Sequence, residues 1–171
     1  MIAHELLDDI PTSVVEFDLD LTPRLVLVEP ASGHEQLGET ISQAEWEWLN
    51  KWWPQTAPHA RREVGITRDH TWVKLVNIFT VGRAIAIDYS HSMEQRAKGL
   101  FDAGTLTGYQ LGSSVRAIPN GEVNITAHVA LDSCASAAVA SRPDITATSI
   151  IDIDPDHNDF RWLIQDFGVR P

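Results

Sequence analysis

Carboxylates dominate the residues that could do chemistry in this chain. Glu16, Asp18 and Asp20 alternate with Val15, Phe17, Leu19 and Leu21, so a strand here carries the three acids on one face. Asp152 and Asp154 repeat that spacing far along the chain, followed by Asp156 and Asp159. Asp oxygens so arranged suit magnesium or calcium, which would polarise a phosphoryl oxygen and activate water. Without a cation, the same rows would steer a basic protein partner. Like charges facing each other across a sheet repel, so a shared patch needs a cation, arginine neighbours or open solvent.

Two short motifs bear on the metal. Asp18-Leu19-Asp20-Leu21-Thr22 resembles the Asp-x-Asp-x-Thr signature of haloacid-dehalogenase-type phosphatases, which implies Asp18 as a nucleophile at the end of an apolar strand. Glu16 interrupts the apolar run, and another strand follows where that family has a cap-bearing turn and a helix. Asp152-Ile153-Asp154-Pro155-Asp156 resembles the start of an EF-hand loop. His157 stands where that loop needs Gly, and Leu163 where it needs a bidentate Glu. The metal set, if there is one, is Asp18, Asp20, Asp152 and Asp154.

Other chemistry is harder to find. The seven histidines form no His-x-x-x-His or His-Glu-x-x-His pattern. Asp88, Ser90 and His91 are neighbours along the chain, which is not triad geometry. Gly112-Ser113-Ser114 lacks the second Gly of a nucleophile elbow. No Walker loop or Gly-x-Gly-x-x-Gly run occurs. The single Cys134 has no basic neighbour in sequence to activate it, and one cysteine excludes an intramolecular disulfide or a Cys-based zinc site. No catalytic residue is assigned and no cofactor is expected.

The elements that must position these groups are read from periodicity. Residues 14–21 and 24–28 read as strands, and 31–40 as a loop. Ser42 and Glu45 form a capping box ahead of a helix over 43–53, which Pro54 stops. Residues 71–80 stay open between helix and strand, while 83–89 alternates as a strand. Ser92 and Gln95 open a second amphipathic helix that Gly104 ends. Residues 113–118 and 122–131 read as a hairpin about Pro119-Asn120-Gly121. A short Ala-rich helix runs from Asp132 to Ala140, 145–154 is a strand, and 160–167 is a short strand or helix. Together these give an α+β fold with a mostly antiparallel sheet and two amphipathic helices packed on one face. No linker or repeat appears, so residues 1–171 read as one domain.

The first helix is unusual. Trp46, Leu49 and Trp53 share one face, and Trp48 and Trp52 lie nearly opposite. A surface helix normally has one apolar stripe, so both faces want cover. Either the flanking loops fold over the second face, or Trp48 and Trp52 anchor a partner.

Charge narrows the choice of partner. With 24 acidic and 13 basic residues the net charge is −11, which disfavours direct binding to nucleic acid or to an anionic membrane. Met1 to Asp9 lacks a basic stretch followed by an apolar one, and no apolar run approaches the ~20 residues that span a bilayer, so a cytoplasmic location is expected. The reading that follows is an acidic, non-enzymatic interaction module: an inhibitor, immunity or decoy protein acting on a basic partner through Glu16, Asp18, Asp20, Trp48, Trp52, Asp152 and Asp154. The alternatives are a metal-dependent phosphoester hydrolase built on the four Asp residues, and a homo-oligomeric subunit of a virion or secretion assembly with the Trp helix between copies.

Overall fold

The structure is a computed structural model that describes residues 1–54, 57–152 and 160–168. In chain order its elements are β1 (Ile2–His4), β2 (Ser13–Phe17), β3 (Pro23–Val28), β4 (Glu35–Thr40), α1 (Gln43–Trp52), β5 (Arg61–Val64), α2 (Ile66–Val76) and β6 (Gly82–Tyr89). Then come α3 (Met93–Ala97), β7 (Thr107–Gln110), β8 (Ser113–Val115), β9 (Asn124–Thr126), α4 (Leu131–Ser141), β10 (Ile145–Asp152) and β11 (Phe160–Phe167). The α+β class read from sequence is what the structure shows. The chain divides into two compact units, one of Met1–Ile10, Gly65–Ser92 and His128–Pro171, the other of Pro11–Val64 and Met93–Ala127.

The first unit is a four-stranded sheet in the order β1-β6-β11-β10. β1 runs parallel to β6, and β11 is antiparallel to both β6 and β10, so β1, β6 and β10 all point the same way. Period-two alternation sends Ala3, Ala84, Ala86, Leu163 and Phe167 to one face, where α2 and α4 cover them with Trp72, Val76, Leu131, Cys134, Ala135 and Ala138. The stripe that left 71–80 open is therefore helical as far as Val76. Arg68, Asp69, Trp72 and Val76 are its buried positions, spaced at helical intervals. Arg142 closes the end of α2 by donating to the carbonyls of Val76, Phe79 and Thr80, which satisfies acceptors the helix leaves open. Inside this core Trp72 Nε1 donates to Gln165 Oε1 at 2.7 Å, and Gln165 Nε2 donates to Ala135 O at 3.1 Å.

The second unit pairs β4-β3-β2-β5 in an antiparallel sheet and β8-β7-β9 in a smaller one. The Ser42–Glu45 capping box is present on α1. Trp53, at the end of α1, is buried, with the guanidinium groups of Arg62 and Arg96 at 4.9 and 5.9 Å from its ring.

Several elements differ from the sequence expectation. β2 stops at Phe17 because Asp18 turns the chain, accepting from the Asp20 and Thr22 amides. Residues 35–40, expected as loop, pair with β3 as an edge strand whose exposed glutamates hid its pattern. α3 ends at Ala97, and Gly99 follows with φ 72°. β8 and β9 do not pair with each other: both pair with β7. Among the described residues no helix is long and apolar enough to cross a membrane.

Candidate active site

Ligands of parallel sheets bind beyond the carboxyl ends of the strands, where the connecting loops gather. In the first unit that rim carries the residues after β1 and β6, the end of β10 and the start of β11. Its chemistry is concentrated in Asp8 and Asp88. Asp88 is the penultimate residue of β6, on the face that Ala84 and Ala86 turn towards the helices, and it is fully buried. The chain leaving β1 folds back over it, so that the Leu7 and Asp8 amides donate to the two Asp88 oxygens, both at 3.3 Å. Asp8 is 4% exposed, and its Oδ1 is buried without a hydrogen-bond partner.

Two buried carboxyls side by side resist carrying two charges. Burial, then the Asp8 carboxylate, then the hydrogen bond between the two side chains push Asp88 up to about 8, against the pull of the two backbone amides. Arg68 ties the Asp8 loop down by donating to Asp8 O at 3.0 Å, His128 O at 2.9 Å and Ile10 O at 3.4 Å. At the start of that loop Glu5 has φ 46°, a left-handed conformation uncommon for Glu, held by its amide donating to Ile87 O.

Arg161 is the register partner of Asp88. It spans Asp152, with Nε and Nη2 each 3.2 Å from Oδ2, and donates to Ser90 O at 3.0 Å. Arg161, Asp152 and Ser90, with His91, Ser92, Leu131, Asp132 and Ile150, line a cavity of about 320 Å³. Aromatic rings continue along the rim. Tyr89 stacks on His128 with centroids 5.9 Å apart and meets Phe160 edge-on at 4.8 Å, and His4 meets Phe160 at 5.8 Å.

The residues singled out from sequence lie elsewhere or are already paired. Glu16 is bound by Arg61 at 2.9 Å, and Asp18 by Arg24 at 2.8 Å, the latter contact holding the Asp18 carboxyl below its usual range. Asp20 is exposed at the same turn. All three belong to the second unit, whereas Asp152 belongs to the sheet of the first. Asp154 lies outside the described residues. Trp48 is buried and Trp52 half-buried. Among the described residues no three His, Cys, Asp or Glu side chains gather closely enough to hold a metal ion.

Residues 1–146 match the model of a family described as "putative S-adenosyl-L-methionine-dependent methyltransferase". The chain belongs to this methyltransferase family. Two crystal structures of proteins of one superfamily from Burkholderia thailandensis share its fold, each at 16% identity and a TM-score of 0.78. One is described as uncharacterized; the other, bound to S-adenosyl-homocysteine, as a "likely methyl transferase". Both are matched over 99% of this chain but over only 55% and 54% of their own, so the chain spans about half the length of these relatives. No curated protein matches.

Family membership overturns the non-enzymatic inhibitor or decoy reading, and with it the hydrolase and assembly-subunit alternatives. The physical error was to treat the −11 charge as surface without cations of its own, when Arg61, Arg24 and Arg161 hold Glu16, Asp18 and Asp152. The informative acids were the buried ones. A signal for Asp88 was present: in 84–88 it shares a strand face with two alanines, the pattern of a face closed by helices. Asp8 carried no such signal, because only the loop after β1 brings it to Asp88.

The S-adenosyl group itself is a poor fit to the residues described. A nucleoside in this kind of sheet is cradled by a glycine-rich turn at the carboxyl end of a parallel strand. Glu5-Leu6-Leu7 after β1 and Ser90-His91-Ser92 after β6 contain no Gly, and neither does 153–159 after β10. Gly82 and Gly168 lie at the opposite rim, and Gly65 is a single glycine with φ −79° at the start of α2.

Proposed function

We propose that this chain forms the acceptor-facing part of an S-adenosylmethionine-dependent methyltransferase site, with the Asp8–Asp88 pair taking the proton that a nitrogen or oxygen nucleophile loses on methylation. One observation carries the reading: two buried carboxyls meet at the carboxyl ends of adjacent parallel strands, and one of them holds its proton to about pH 8. Proton affinity close to the working pH is what general acid–base chemistry requires. The Asp8 Oδ1, buried without a hydrogen-bond partner, has the acceptor capacity for that proton. The cavity beside Arg161 is the space for the group that carries it, and the Arg161–Asp152 pair fixes its wall.

The test is a comparison of methylation in cells that make the protein, cells that lack it, and cells carrying Asp88→Asn. Mass spectrometry should find a methyl group that disappears in both altered strains, while the purified variant still melts cooperatively. Identical methylation in all three strains would end this reading.

A further inference from the structure

A strand at the edge of a sheet offers unpaired amides and carbonyls to other chains, and folded proteins blunt such edges with charge, proline or short length. Among the described residues most of the free edges are blunted in this way. β1, β8 and β9 have three residues each, β4 carries Glu35 and Glu39, and β5 carries Arg61, Arg62 and Glu63. β10 is the exception. It closes the β1-β6-β11-β10 sheet and runs for eight residues. Its register slips between Ile145 and Ala147, and from Ala147 to Asp152 it then pairs residue for residue with β11. Ala147-Thr148-Ser149-Ile150-Ile151 contains no charge, proline or glycine. Every residue from 146 to 152 is exposed, Ile150 at 40% and Ile151 at 46%.

Charge chooses the occupant of this edge. At a net −11 two copies of the protein repel each other at long range, and the repulsion is least where uncharged strand meets uncharged strand. The same lack of charge gives a basic or acidic partner nothing to select. Thr148, Ile150 and Ile151 are of the β-branched kind that packs well across a ladder. Gln165 Nε2 donates to Thr148 Oγ1 at 3.1 Å, so Thr148 and Ile150 are on the face covered by the helices. Opposed residues share a face. Of the registers that join the helix-covered faces of two copies, one centred on Thr148 sets Asp152 against Asp144, which repel. One centred on Ser149 sets Ile150 against Thr148 and Ile151 against Ala147, and holds the two Asp152 carboxylates ~20 Å apart, well beyond the ~8 Å screening length. We infer that β10 pairs antiparallel with β10 of a second copy of this chain, with Ser149 beside the two-fold axis, so that the two sheets run on as one. Ile150 and Asp152 also line the cavity beside Arg161, so the seam follows the wall of that cavity and each copy steadies the wall of the other. The inference stands apart from the acceptor-site reading of Asp8 and Asp88.

Light scattering on the purified protein should give twice the mass of one chain, and a monomer at all concentrations up to ~100 μM, a range that captures micromolar association, overturns the inference. Ser149→Lys sets two cations against each other at the axis. It should return the protein to a monomer that still melts cooperatively, and a dimer that persists in this variant overturns the inference. Proximity is read separately with Ser149→Cys and a short bis-maleimide, since Cys134 is buried. Dimers should be trapped through position 149, while Leu111→Cys, at a fully exposed position of the second unit, should trap none. Equal trapping at the two positions, or none at 149, overturns the inference.

Discussion

Replacing Asp88 by Asn keeps the size of the side chain and removes its titration. In the folded protein burial and the neighbouring Asp8 hold the Asp88 proton up to about pH 8, whereas an unfolded chain releases it near its ordinary value of 3.8. Between those limits the folded state binds more protons than the unfolded state, so stability must fall as pH rises. The contribution is complete below the unfolded value and is lost as pH passes about 8. At about 1.4 kcal/mol per decade of proton affinity, the roughly three decades between pH 5 and about 8 would be worth about 4 kcal/mol for a group acting alone. Asp88 is coupled to a neighbouring group, so about half of that is the expected size. For a chain of this length, ~2–4 °C per kcal/mol turns this into a fall of roughly 4–8 °C in Tm between pH 5 and 9. The Asp88→Asn amide keeps one acceptor oxygen for the two backbone donors, so one of the Leu7 and Asp8 amides loses its partner, a cost that is the same at every pH. Its melting temperature should therefore vary less with pH than that of wild type. Thermal melts by circular dichroism at half-unit pH steps decide the matter. Parallel curves for the two proteins, or a wild type that gains stability towards pH 9, would refute the reasoning.

Two further substitutions probe the fold around the site. Trp72→Phe strands the Gln165 oxygen inside the core and should cost ~1–3 kcal/mol in urea unfolding, part of it recovered by adding Gln165→Leu. Leu111 sits fully exposed with φ 50°, followed by Gly112 at 78°, a two-residue turn that favours Asn-Gly. Leu111→Asn should therefore raise stability by about 0.5–1 kcal/mol in the same assay.

Local chemistry was legible in the sequence and long-range pairing was not. The Ser42–Glu45 box, β6 and α4 follow from capping, alternation and small-residue composition within a few neighbouring positions. β7 escaped because it draws its two partners from opposite sides in sequence, and the turn at Pro119-Asn120-Gly121 looked sufficient to pair 113–118 with 122–131. The site failed for the same reason on a larger scale. Leu7 and Asp8 lie about eighty positions from Asp88, and a carboxyl pair at that separation leaves no periodic trace. The exposed acidic rows do leave one, which is why they drew the attention that the buried acids warranted.

A structural role for Asp88 is the competing explanation, and the chemistry separates the two. If its task were only to accept the Leu7 and Asp8 amides, Asn would lose one of those two bonds but would remove the repulsion between two buried acids. An acid that holds its proton to about pH 8 costs the fold stability at neutral pH, a cost that an amide does not carry. Such a group makes physical sense where its proton is exchanged with something that enters the rim. The pairing of outcomes is therefore diagnostic: Asp88→Asn should still fold cooperatively, with a flatter pH profile than wild type, and yet lose methylation. A variant that keeps both its stability and the methyl mark would make Asp88 a cap for two amides and nothing more.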